Sequence, residues 1–313
     1  MPLHIAYRAA NFDEIIGNNK AIKILKTTLK RKDRPHAYLF EGPYGCGKTT
    51  LAYLIRDYLK CHEKAFDEIN VGDTGGVDKA RDLIKTLKYK PLMGPVKVIL
   101  LDEVHMATKA FQNALLKDLE SPPAHVYFLL CTTNPEKILK GIKGDQRCFT
   151  FTVKPLTDSD SLRLLKEIIH AEDVNVPEAA LKRIIELAEG TPRRLMVMLD
   201  KIISLPENEM LSHVEGSLPE EEHDAIEIVR GLVKQNIRWP ELTAILKSTK
   251  AEPEQIRRMA VNYAKTVMLN KPEPQIALLA IYDAFKNPFY DAPTAKAELA
   301  FATAKAFSNI IGR

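Results

Sequence analysis

The run Gly42-Pro43-Tyr44-Gly45-Cys46-Gly47-Lys48-Thr49 constrains this chain more than any other stretch. It satisfies G-x-x-x-x-G-K-[ST], and its flanks fit the letters. Ala37-Tyr38-Leu39-Phe40 before it reads as a short buried strand, and Thr50-Leu51-Ala52-Tyr53-Leu54-Ile55 after it reads as a helix. Strand, glycine loop and helix together make a phosphate cradle. The glycines let backbone N–H groups turn inward, and the N-terminus of the helix adds its positive dipole end. Lys48 is then placed to reach the β- and γ-phosphates and Thr49 to hold Mg²⁺.

A phosphate loop of this kind needs a parallel sheet behind it, and the pattern downstream supplies one. Candidate strands at Ala37–Phe40, Phe66–Asn70, Val96–Leu101, Val126–Cys131 and Phe149–Val153 alternate with helical stretches near 49–60, 77–88 and 108–119. That alternation predicts an α/β domain with a parallel five-stranded sheet covered by helices on both faces. After Val153 the strands stop. Asp158–Ala171, Pro177–Glu189 and Pro192–Leu205 read as helices, the last two with proline at or near the first turn. Pro206–Pro219 is polar and broken and reads as a linker. Glu220–Asn236, Pro240–Ser248, Pro253–Leu269, Pro274–Phe285 and Thr294–Ile311 then read as helices. Ile226, Val229, Val233 and Ile237 form an apolar stripe at helical spacing, as a core-facing side would. The expected organisation is an ATPase-type domain over 1–153, a small helical lid over 154–212 and a helical domain over 213–313.

Composition narrows the setting. Charged residues make up 27% and hydrophobic residues 45%, an ordinary balance for a water-soluble globular chain. No apolar run approaches the roughly 18 residues of a membrane helix, and Met1–Ala6 lacks the apolar core of a signal peptide. A cytoplasmic protein with no membrane partner is expected. Residues 214–313 carry 13 basic and 13 acidic side chains, so the whole net charge of +4 lies before residue 214. The basic run Lys20, Lys23, Lys26, Lys30, Arg31, Lys32 and Arg34 reads as a solvated helix face, and charge alone does not establish DNA binding. Cys46, Cys61, Cys131 and Cys148 are far apart with no C-x-x-C pair, which argues for structural thiols over a zinc site or disulfides. Cys61-His62 offers half of a metal site with no second half nearby.

Two further clusters carry chemistry. Val98-Ile99-Leu100-Leu101 runs into Asp102-Glu103, an apolar strand ending in two carboxylates. Beside a phosphate loop, such an Asp assists Mg²⁺, directly or through water. The following Glu103 is placed to polarise the attacking water as general base. His105 reads as a helix-start residue without a role. Val126–Cys131 ends in Thr132-Thr133-Asn134, polar groups expected between the phosphate loop and the Asp102 strand, near the γ-phosphate. Gly190-Thr191-Pro192-Arg193-Arg194 starts a helix from which an arginine would reach back to the phosphates. Arg147, in Gln146-Arg147-Cys148, lies just before the last strand.

As a set these pieces resemble the clamp-loader branch of the AAA+ ATPases, in particular the bacterial gamma/tau subunits of DNA polymerase III and the small subunits of replication factor C. The matches run in order through Tyr7-Arg8, Ile16-Gly17, the phosphate loop, Asp102–Met106 and Asn113–Lys117. They continue through Glu120-Ser121-Pro122-Pro123, Thr132–Pro135, Arg147-Cys148 and Gly190-x-x-Arg193. They span about two thirds of the chain; the last hundred residues match only in being helical. The resemblance implies that Thr133 is a first sensor of the γ-phosphate and Arg193 a second, acting in cis from the lid. It implies that Arg147 is an arginine finger reaching a neighbouring subunit's ATP. Tyr7, Arg8, Ile16 and Gly17 would line the adenine pocket, with Thr50 and Asn134 completing the nucleotide contacts. The helical C-terminus would be a collar joining subunits into a ring of five.

The expected activity is DNA- and clamp-stimulated ATP hydrolysis in a machine that opens a sliding clamp and loads it onto primer–template DNA. Lys79, Arg81 and Lys85 would sit on a helix that the family turns toward the ring interior. Three departures stand out: Ala9 replaces the proline that usually follows Tyr-Arg, Gln146 replaces the serine before the finger, and the zinc module of gamma/tau is missing. The compact length fits a minimal loader subunit, such as a viral one. Another AAA+ machine on DNA, for example a helicase loader, is the alternative within the class. A non-hydrolysing scaffold subunit is the alternative outside it.

Overall fold

A computed structural model of the chain describes residues 1–71, 77–143, 147–216, 227–229, 231–249, 252–269, 273, 275–289 and 294–311, with backbone only at 77–80, 215–216, 255, 266 and 269. Five strands form one sheet in the order β2-β3-β4-β1-β5. They are β1 (Ala37–Glu41), β2 (Phe66–Asn70), β3 (Lys97–Asp102), β4 (Val126–Thr132) and β5 (Phe149–Thr152). All neighbours are parallel, with Ala37 opposite Phe128, Val126 opposite Lys97, and Tyr38 opposite Phe149. Parallel pairing requires crossover connections. Helices α1 (Asn19–Leu29), α2 (Lys48–Tyr58), α3 (Val77–Leu87) and α4 (Lys109–Glu120) accompany the strands.

The three central strands, β1, β3 and β4, are apolar on both sides because both sides are covered, whereas the edge strands β2 and β5 carry polar residues. Leu39, Ile99, Leu101, Phe128 and Leu130 pack with Leu83, Leu87, Phe111, Leu115 and Leu119 of α3 and α4. The alternate residues Tyr38, Phe40, Val98, Leu100, Leu129 and Cys131 pack with Ile22, Leu25 and Leu29 of α1 and with Leu51 and Ile55 of α2. The two-residue period of the strand thus divides one run between two cores.

Three helices follow: α5 (Asp158–Ala171), α6 (Glu178–Ala188) and α7 (Pro192–Ile202). The Thr157 hydroxyl caps α5 by accepting from the Asp160 amide at 3.1 Å, and Pro192 opens α7 where a missing N–H costs nothing. The next segment corrects the sequence reading. Residues 207–216 are not a linker but helix α8 (Glu207–Gly216). Pro206 masked it, yet Glu207 and Glu209 favour its first turn, and Met210 and Val214 are buried four residues apart. Residues 217–219 of that expected linker lie outside the described residues, as do Ile226 and Gln146.

The chain forms two compact units, Met1–Leu211 and Ser212–Arg313, so the sheet and the three helices after it share one unit. Within the second, residues 227–229 and 231–234 are helical, followed by α9 (Trp239–Ser248), α10 (Pro253–Leu269), α11 (Ile276–Phe285) and α12 (Ala295–Ile310). Leu242, Ile256, Ala260, Leu278, Ile281, Phe285, Leu299 and Ala306 form its core, with Val229 and Ile237 of the stripe among them. Among the described residues no helix is long and apolar enough to cross a membrane.

Candidate nucleotide site

The strand order creates the site. β4 lies between β1 and β3, so the loop after β1, the polar end of β4 and the carboxylates ending β3 emerge side by side at the C-terminal edge of the sheet. This is the edge at which open parallel sheets bind ligands.

The loop is held tightly from behind. Gly42 has φ +151°, and a Cβ there would collide with the carbonyl oxygen of Val153, beside which the loop leaves the sheet. At Gly45 (φ +72°) a Cβ would lie 2.8 Å from Thr191 Cγ2 and 3.0 Å from Arg193 Cβ. The start of α7 is therefore seated directly on the loop, and the Arg193 amide donates to the Gly45 carbonyl at 3.3 Å. Lys48, 5% exposed, lays its ammonium over the loop and donates to the carbonyls of Gly42 and Pro43, both at 2.9 Å. Cys46 is buried in the loop, and burial pushes its thiol above the usual range; the same cause takes Cys148 up to about 12. Both stay protonated near neutrality and pack as apolar groups.

The metal-binding expectation meets a suitable geometry. Thr49 Oγ1 donates to Asp102 Oδ2 at 2.9 Å, while Asp102 Oδ1 accepts the Glu103 amide at 2.9 Å. A hydroxyl and a carboxylate, both oxygen donors, fit a Mg²⁺ that takes its other ligands from phosphates and water. Among the described residues no group of three or more His, Cys, Asp or Glu could hold a metal without such a ligand. Glu103 sits in the left-handed region (φ +50°), which turns its side chain off the strand axis. Its Oε2 accepts from Thr133 Oγ1 at 3.0 Å and lies 3.1 Å from His105 Nδ1.

Two adjoining depressions meet at this point. One is lined by Tyr7, Arg8, Ile16, Cys46, Gly47 and Thr50, and the other by Tyr44, Gly45, Lys48, Thr49, Asp102, Glu103 and Arg193. The first is also lined by Ile22, Leu51, Leu156, Leu164 and Met196, apolar surfaces suited to a flat base. Arg8 lines both and stacks over the Tyr53 ring at 5.0 Å. Tyr7 is tethered by its hydroxyl to Glu172 at 2.5 Å. Arg193 donates to the Tyr44 hydroxyl at 2.7 Å with its guanidinium over that ring.

Gly17 lines neither depression; it packs against Leu156, which lines the first. Asn134 also lines neither depression, its amide donating to Thr132 Oγ1 at 3.1 Å and its Oδ1 buried without a partner. Arg147 is outside this site. It donates to Glu120 Oε2 from Nε (3.1 Å) and Nη2 (2.7 Å) and to the Gly141 carbonyl from Nη1 (2.9 Å).

Sequence reasoning missed His4, which lines both depressions, and Met196, which shares a face with Arg193 three residues earlier. It also gave no role to His105, which stands on a 3₁₀ turn, Val104–Met106, beside Glu103. The i,i+3 spacing could have revealed Met196; nothing local announces the other two.

The chain is similar to several known proteins. A sequence profile of the family described as DNA polymerase III, delta subunit, matches residues 67–157. The tau subunit of DNA polymerase III from Bacillus subtilis is 34% identical over 223 residues, 64% of this chain and 39% of that protein. The gamma subunit from Buchnera aphidicola is 34% identical over 223 residues, again 64% of this chain but 61% of that shorter relative. The Escherichia coli tau subunit is 31% identical over 255 residues, 74% of this chain and 39% of its own length. The chain thus spans about two fifths of the long relatives it matches. In structure it is similar to the Thermotoga maritima RuvB Holliday junction branch migration motor (TM-score 0.57, 20% identity, 79% of this chain and 86% of the other), a likeness of fold. A P-loop, an Asp-Glu strand end and a β2-β3-β4-β1-β5 sheet followed by helices mark the chain as one of AAA+ ATPase fold, and its sequence resembles the gamma and tau subunits of bacterial DNA polymerase III.

Proposed function

We propose that the chain is an ATP-hydrolysing subunit of a sliding-clamp loader. In this reading it is a cytoplasmic protein that joins other loader subunits in a ring of five, opens the clamp and sets it on primer–template DNA. The observation that carries the reading is the Thr49–Asp102 hydrogen bond of 2.9 Å with Glu103 alongside, facing the P-loop. A chain that only held partners would need neither an oxygen pair matched to Mg²⁺ nor a carboxylate aimed past it. The relatedness to gamma and tau subunits supports the choice of machine.

In this reading Tyr7, Arg8, Ile16 and Thr50 border the base, with Gly17 and Leu156 backing them. Lys48 exchanges its two loop carbonyls for β- and γ-phosphate oxygens. Thr49 and Asp102 hold Mg²⁺, which when bound neutralises charge on the phosphates. Glu103 accepts a proton from the attacking water as its oxygen bonds to the γ-phosphorus and the ADP oxygen departs. Thr133 senses the γ-phosphate from the end of β4. Arg193 leaves Tyr44 for the phosphates, so lid position and nucleotide state are coupled through one side chain. Arg147, held by Glu120 away from its own chain's site, reaches the ATP of the next subunit.

The test is ATP binding and turnover by Lys48→Ala and Glu103→Gln, with and without primer–template DNA across a salt titration. Lys48→Ala abolishes turnover; Glu103→Gln binds ATP and hydrolyses it poorly. DNA raises wild-type activity, and at limiting DNA the rise fades steeply with salt because phosphate contacts release counterions. Arg81 and Lys85, both exposed on α3, are candidate contacts; the Lys79 side chain lies outside the described residues. Variants that bind and turn over ATP like wild type would refute the site assignment.

A further inference from the structure

The basic run of α1 reads from the sequence as a solvated helix face, yet three of its lysines border a groove. Lys23, Lys26 and Lys30 are spaced i, i+3, i+7, which puts their side chains on one side of the helix. Phe12, Asp13 and Thr27 border the same groove, whose volume is about 400 Å³. Asp13 sets a carboxylate oxygen 2.5 Å from the Lys26 ammonium, so the groove already holds one anionic oxygen from its own chain. Asp13 is the one carboxylate among the described residues that line it. Lys23 and Lys30 are exposed, and among the described residues neither ammonium has an ion pair or a hydrogen bond.

Two unneutralised ammoniums, a third held by a carboxylate that is itself 84% exposed, and an aromatic side chain make a combination that suits single-stranded nucleic acid. The cations follow the phosphates and the ring takes the face of a base. Residues 23 and 30 are about 10 Å apart along the helix axis, the length of about three stacked nucleotides. A duplex can use the lysines, but its bases are already stacked on one another and leave the ring unused. We propose that this groove binds a single strand, with Lys23 and Lys30 on its phosphates, Lys26 recruited from Asp13, and Phe12 against a base. The groove lies across the sheet from Arg81 and Lys85, since α1 covers one face and α3 the other. It is a second nucleic-acid surface, separate from those contacts and from the two nucleotide depressions, which Phe12, Asp13, Lys23 and Lys30 do not line.

The experiment titrates the full chain, without ATP and across a range of salt, with a fluorescent thymidine oligonucleotide of about twelve residues and with a duplex of the same length. Each single-strand phosphate contact contributes about 0.7 to the slope of log affinity against log salt, so removing two costs about 25-fold at about 0.1 M. Lys23→Gln combined with Lys30→Gln should show that loss, with a slope shallower by about 1.4. Asp13→Asn should act in the opposite direction, because it releases Lys26 to a phosphate. Its binding should be about fivefold tighter at about 0.1 M and its slope steeper by about 0.7. A gain of this kind does not arise from misfolding. Phe12→Leu keeps an apolar side chain and should bind the single strand at least about fivefold more weakly, with slope and duplex binding unchanged. ATP affinity should stay at the wild-type value throughout. Absence of oligonucleotide binding by wild type, a double lysine variant within about twofold of it, or Asp13→Asn that fails to tighten would overturn the inference. So would Phe12→Leu that binds like wild type, since the groove would then serve any polyanion. No arm uses ATP hydrolysis, so failure of the Glu103 assignment leaves this inference standing, and its own failure leaves the loader reading with Arg81 and Lys85.

Discussion

Replacing Arg147 with alanine separates two roles by magnitude. As a local brace, Arg147 ties Glu120 to Gly141 within its own subunit. The ion pair is partly in solvent, with side chains 27% and 57% exposed, so it contributes under about 1 kcal/mol. The bond to the Gly141 carbonyl adds about 1–2 kcal/mol. Arg147→Ala should therefore lower the unfolding free energy of the first unit by about 1–3 kcal/mol, a loss of several degrees in Tm, and leave ATP binding by the isolated chain near normal. As a finger the same guanidinium stabilises transition-state charge on a neighbour's ATP, an effect of about 10³–10⁵ in rate, or roughly 4–7 kcal/mol of barrier. Turnover in the assembled loader separates the two. The variant should hydrolyse very slowly there, and mixing it with Lys48→Ala should restore part of the activity, because some interfaces then pair an intact P-loop with an intact finger. Turnover within about threefold of wild type in an assembly proven intact, or no recovery at any mixing ratio despite co-assembly, would refute the trans role.

Gly42→Ala should destabilise the first unit by about 1–3 kcal/mol and abolish ATP binding, since its Cβ meets the backbone of Val153 and something must shift; chemical unfolding and nucleotide titration check both. In the second unit, Glu254 accepts from Arg257 at 2.7 Å on each oxygen and from the Phe289 amide at 2.9 Å. The Arg257 hydrogen bonds, above all, hold its carboxyl at about 2, below the usual 4.5. The folded-state value is depressed, so the stability it contributes is present above about pH 4.5 and is lost as pH falls toward about 2. A shift of that size corresponds to at most about 3 kcal/mol, less after solvent screening. Acid unfolding of the second unit should accordingly be shallower in Glu254→Gln than in wild type, and equal slopes would show that other carboxylates control it.

The sequence by itself determined most of what depends on neighbours in the chain. The P-loop is legible because a phosphate cradle needs glycine at fixed offsets between a strand and a helix. The three central strands are legible because burial on both faces demands near-continuous apolar runs, and Thr157 and Pro192 announce the helices they start. Asp102 and Glu103 were readable as a pair because they end one such run. Helix α8 was obscured because its buried residues, Met210 and Val214, sit in an otherwise polar stretch behind Pro206.

What only the tertiary structure decided are the contacts between segments far apart in the chain. Strand order puts β4, whose end leads into Thr133, between β1 and β3 and so brings Thr133 to Glu103, and no periodicity encodes strand order. Arg193 finds the Tyr44 hydroxyl 149 residues away, and Arg147 finds Glu120 across 27. His105 shows the limit most plainly. Its two-residue separation from Glu103 was visible from the start, but only the tertiary structure brings its Nδ1 to Thr132 Oγ1 at the end of β4 and within 3.1 Å of the Glu103 carboxylate. Local spacing specifies which groups a chain carries; the order of the strands and the seating of α7 on the phosphate loop specify which of them meet.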